Sequence, residues 1–197
     1  MTLFEEVVAA FTCPQVNIDD LPTDDPRVKL GQTCAALFTN GVDVLRSIIP
    51  NERVRALARI VWDLVGHKQV LVAIGADVPS LMFTAMQRKE MHQGIVLIPA
   101  EWPQMTADDP FMQLGAILFV GAQIVDFYND RLIDDKGSEQ RWRAYEAELL
   151  RTLKTTLTHW QPNAYQREAL ARCPEGLDSK GVELYPLKPY VPSQGTA

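Results

Sequence analysis

From Leu114 to Tyr128 the chain carries only two strongly polar side chains, Gln123 and Asp126. A helix that is apolar nearly all round is stable only when other elements cover every face of it. This segment is therefore expected to be the central, most buried element, and the rest of the chain must supply its cover. The most apolar run, Phe111 to Val125, is short for a membrane span and is interrupted by Gln113 and Gln123.

The start of this helix has a counterpart upstream. Asp24-Asp25-Pro26 leads to Leu30-Gly31 on the same beat as Asp108-Asp109-Pro110 leads to Leu114-Gly115. Further matches follow in order: Val42-Asp43 with Val125-Asp126, and Arg53-x-Arg55-Ala56 with Arg141-x-Arg143-Ala144. Such a period is too long for a solenoid and suits a duplicated pair of helices, a direct route to a four-helix bundle. Asp-Asp-Pro is also generic helix-start chemistry. The carboxylate caps free N–H groups and Pro at the first helical position loses nothing. The matches thus bear on construction, and two unrelated helices could converge on them.

The spacing predicts a mostly α fold, a helical bundle built from two long helical hairpins. Residues 2–12 read as a short amphipathic helix. Hairpin one, 24–66, pairs a helix from Pro26 toward Ile49 with a second one capped by Asn51. In the latter, Val54, Leu57, Ala58, Val61, Leu64 and Val65 form an i, i+3, i+4, i+7 stripe. Hairpin two, 108–160, follows the central helix with one opened by Gly137-Ser138, bearing Trp142, Tyr145, Leu149, Leu153, Leu157 and Trp160 on one face. A last helix runs from about Asn163 to Arg172. The globular domain is placed at 1–174.

The insert, 67–107, reads differently. Val70 to Ile74 and Ile95 to Ile98 are short β-branched-rich runs, and Pro79 to His92 between them has helical spacing through Leu81, Met82, Ala85, Met86 and Lys89. This is a βαβ pattern around 68–100. Two strands alone make a poor sheet. A third could come only from Ile117 to Val120, which would cut the central helix. From 175 to 197, Pro, Gly and Ser accumulate, and Tyr185, Leu187, Tyr190 and Val191 alternate with prolines. An extended tail that docks on a partner or a neighbouring subunit is expected there.

Charge narrows the function classes. A net charge of −6 without any Lys/Arg cluster argues against a nucleic-acid partner. Three widely spaced cysteines without a C-x-x-C pattern fit a reducing compartment, and Glu5 and Glu6 stand where a signal peptide would be basic. The expectation is a cytoplasmic protein with no membrane association.

One constellation could carry chemistry. Asp126, Asp130 and Asp134 follow one another at i+4 and share a helical face; stacked carboxylates of this kind can hold Mg²⁺ beside a substrate phosphate. Asp126 is the expensive member if buried, and an arginine of the other hairpin, such as Arg55 or Arg59, is the partner expected for it. His67, His92 and His159 have no ligand spacing, and neither a nucleophile elbow nor a phosphate-binding loop is present. The sequence therefore favours a non-catalytic interaction module or assembly subunit without a cofactor, forming a homo-oligomer or binding a protein partner. The alternative is a Mg-dependent enzyme acting on a phosphorylated small molecule.

Overall fold

The computed structural model describes residues 2–12, 26–67, 69–75, 84–88, 93–128 and 136–173. Helix α1 spans Leu3–Thr12, α2 Pro26–Ser47 and α3 Glu52–Gly66. Strands β1 (Val70–Gly75), β2 (Thr84–Arg88) and β3 (Gln93–Pro99) follow. Helices α4 (Trp102–Asp108), α5 (Pro110–Tyr128), α6 (Lys136–Thr156) and α7 (Ala164–Arg172) complete the described order. The architecture is mostly helical and bundle-like.

Helix α5 is the hub. It packs against α1, α2, α3, α4 and α6, and against β2 and β3. Leu114, Ile117, Leu118, Val120 and Ile124 are sealed from water, each burial stabilising the fold by about 1.5–3 kcal/mol. It meets α3 at Gly121, where a Cβ would stand 3.0 Å from Val61 Cγ2. A larger residue here would press on that valine methyl. Among the described residues, no helix is long and apolar enough to cross a membrane.

Asn51 shows how one side chain sets both a helix start and its tertiary place. Its Oδ1 accepts from the backbone N–H groups of Arg53 and Val54, each at 3.1 Å, capping α3. Its Nδ2 donates to Glu148 Oε1 at 3.0 Å and Thr152 Oγ1 at 2.9 Å, tying that cap to α6. Beyond the cap, Val54, Leu57, Ala58, Val61 and Leu64 are buried while Arg53 and Arg59 face outward.

The insert corrects the βαβ expectation. β1 and β3 do pair in parallel, with Leu71 opposite Ile95 and Ala73 opposite Leu97. Residues 84–88, expected within a helix, instead form β2, antiparallel to β3. The order is β1-β3-β2. The reason lies in β3: with one neighbour it would leave half its backbone groups unpaired, and two strands alone are marginal. The third strand thus comes from the segment read as a helix, and 117–120 stays within α5.

Two smaller differences concern α4 and α6. α4 was not foreseen; Pro103 lies in its first turn and Trp102 is fully buried beneath it. α6 begins at Lys136, so Gly137 and Ser138 fall inside its first turn. It ends at Thr156, and Leu157 to Trp160 continue only as a turn.

Candidate functional site

The buried polar groups worth attention lie along the seam where α6 and α7 meet α5. At the C-terminal end of α5 sits Asp126, 4 % exposed in an otherwise apolar stretch. The indole Nε1–H of Trp142 donates to its Oδ2 at 2.7 Å, and a guanidinium nitrogen of Arg141 stands 3.4 Å from the same oxygen. Adjacent residues at the start of α6 thus meet one carboxylate. The indole ring is held in turn by Phe119, edge-on with centroids 5.9 Å apart.

This overturns the expectation that the partner of Asp126 comes from hairpin one. Arg55 donates its Nε to the carbonyl of Ile49 at 2.6 Å, closing the α2–α3 turn. Arg59 pairs with Glu52 on the surface at 2.8 Å. The matched position in hairpin one also behaves differently. The Asp43 side chain is 42 % exposed against 6 % for that of Asp126, and it pairs with Arg46 at 2.7 Å. Arg46 in turn stacks over Trp62 at 4.0 Å. The repeated letters therefore fill unlike environments.

Midway along the seam is Glu146, 3 % exposed and not anticipated from the sequence. It fits because Gly115 lies opposite; a Cβ there would stand 3.4 Å from Glu146 Oε1. Its hydrogen-bond partner is the hydroxyl of Tyr165 on α7, at 3.5 Å. Burial pushes the Glu146 carboxyl above its ordinary value, with the Tyr165 hydroxyl and the Arg143 charge pulling the other way. Partial burial, then the nearby carboxylate, pushes the hydroxyl of Tyr165 up to about 12, although the residue as a whole is 43 % exposed. Arg143 itself is engaged elsewhere, in the i, i+4 pair with Glu139 at 2.7 Å.

At the other end of the seam Asp109 joins two helices. Its Oδ1 accepts from Met112 N–H at 2.9 Å, at the start of α5, as a carboxylate ahead of Pro110 should. Its Oδ2 accepts from Asn163 Nδ2 at 3.0 Å. Asn163 also forms a capping box with Gln166, which starts α7. At the far end of α7, Arg151 donates to the carbonyl of Cys173.

Of the residues predicted to form a site, Asp126 is the one within the described part of the chain. Asp130, Asp134, Tyr185, Leu187, Tyr190 and Val191, and likewise Asp24 and Asp25, lie outside the described residues. Among the described residues, no group of three or more His, Cys, Asp or Glu side chains is placed to hold a metal ion. Comparisons of the chain with protein-family models, with curated proteins and with solved structures return no match.

Proposed function

We propose that the protein is a non-catalytic interaction subunit: a helical scaffold whose C-terminal tail, 175–197, docks on a neighbouring subunit or a protein partner. The observation that carries this reading is the engagement of Asp126. The one carboxylate buried in the central helix accepts from Trp142 and faces Arg141, so its charge is used to fasten α6 to α5. Asn51, Asp109 and Asn163 serve the same end, each joining a helix cap to a second helix. A catalytic carboxylate has to meet a reacting group, and a structural one meets its own chain.

The tail supplies the interacting element of this proposal. Tyr185, Leu187, Tyr190 and Val191, interleaved with prolines, give an extended segment apolar contacts at low ordering cost. It follows α7, which is fastened at Asn163 and at Cys173. The test compares the full chain with one lacking residues 176–197 by light scattering on eluted fractions. Loss of the oligomer, or of a defined partner complex, on truncation supports the proposal. An unchanged molar mass and unchanged partner capture would refute it.

A further inference from the structure

Helix α7 contributes one buried apolar side chain, Ala169, among its nine residues. Its buried residues are Gln166 and Ala169, and its fastenings are polar: Asn163 to Asp109 at 3.0 Å at one end, Arg151 to the Cys173 carbonyl at the other. Between them, Tyr165 lies over Glu146. A buried carboxylate with a single long hydrogen bond is an expensive group to keep ionised. Among the described residues it forms no ion pair, although the Arg143 charge favours its ionised form. α5 presents Gly115. On α6 the nearest cation, Arg143, gives two hydrogen bonds to Glu139, at 2.9 and 2.7 Å. α7 presents the neutral Tyr165, with Arg172 committed to Glu168, and leads to the buried thiol of Cys173.

We propose that α7 is a proton-operated latch, closed on α5 and α6 while Glu146 is neutral and opening more often once Glu146 is ionised. The sign follows from linkage. A carboxyl whose value is raised in the closed state stabilises that state fully below its open-state value, and the stabilisation is lost as pH rises through the raised value. Burial of Glu146, 3 % exposed with α7 in place, sets that direction and outweighs the Tyr165 hydroxyl and the Arg143 charge, which favour the ionised form. Opening would detach the helix that precedes the tail, so the latch would control how the tail is presented.

Hydrogen exchange of the α7 amides in the full chain, corrected for intrinsic rates, tests this between pH 4 and pH 8. The latch predicts that protection across Ala164–Arg172 falls several-fold as pH rises, while protection of α3 changes much less. Glu146→Gln keeps α7 protected throughout, and Glu146→Met serves as a second neutral replacement of similar length. Protection of α7 that is flat with pH in the native chain overturns the latch, as does a pH dependence that survives in both neutral variants.

Discussion

The indole N–H of Trp142 donates to the buried carboxylate of Asp126 at 2.7 Å, joining the start of α6 to the end of α5. Removing the donor while keeping an aromatic ring isolates the bond. Trp142→Phe can still meet Phe119, now 5.9 Å away edge-on, but leaves Asp126 buried with one partner fewer. The expected loss is about 1–3 kcal/mol in urea denaturation. A loss within error of zero would mean that the bond contributes nothing.

Gly121 permits α3 and α5 to touch. A Cβ at 3.0 Å from Val61 Cγ2 forces that methyl to move in a packed core; overpacking of this kind costs about 1–3 kcal/mol, against about 1 kcal/mol gained in helix propensity, so Gly121→Ala should be net destabilising. Val61→Ala in the same chain removes the opposing methyl groups. The double variant should then lose less than the sum of the single ones, which a double-mutant cycle reads directly.

Asn163 caps α7 and binds Asp109. Asn163→Ala loses both and should cost about 1–2 kcal/mol. Asn163→Asp keeps a cap acceptor but sets a second carboxylate against Asp109 Oδ2, now 3.0 Å from Asn163 Nδ2. The aspartate variant should therefore recover stability at low pH relative to neutral pH, as one carboxyl takes a proton. The alanine variant should show no such recovery.

Cys34 is fully buried, and burial pushes its thiol up to about 11 from 9.0. That change lowers the thiolate fraction about a hundredfold at pH 8, and the thiolate is the reactive form. Maleimide labelling of Cys34 should thus wait for global unfolding and track denaturant sensitivity. Cys173, at the end of α7, should label through local opening of that helix, earlier than Cys34.

The sequence showed the helices far better than it showed their partners. α3 and α5 were visible because their stabilising pattern is local: Asn51 and Asp109 at their starts, apolar residues at helical spacing after them. β2 was hidden because its reason is tertiary. Residues 84–88 have helical spacing, and only the unpaired edge of β3 makes them a strand. Pro103 at the start of α4 is helix-start chemistry that the sequence carries in plain form.

The site was legible in one residue. Asp126 stands out because a charge in an apolar helix needs a partner, but spacing alone points to the arginines of hairpin one rather than to Trp142. Trp142 was counted as an apolar member of the α6 stripe, although its N–H is a donor. Glu146 lies four residues after Trp142 and three before Leu149, so the stripe already placed it on the buried face. What the sequence lacked was the clearance at Gly115, a property of two helices at once.

We propose that Asp126 fastens α6 to α5 through Trp142 rather than holding Mg²⁺. The most direct test of this is the stability of the native chain and of Asp126→Asn, each with and without Mg²⁺. The account predicts a loss of about 1–3 kcal/mol on substitution, the same in both conditions. Stabilisation of the native chain by Mg²⁺ that disappears in Asp126→Asn would contradict it.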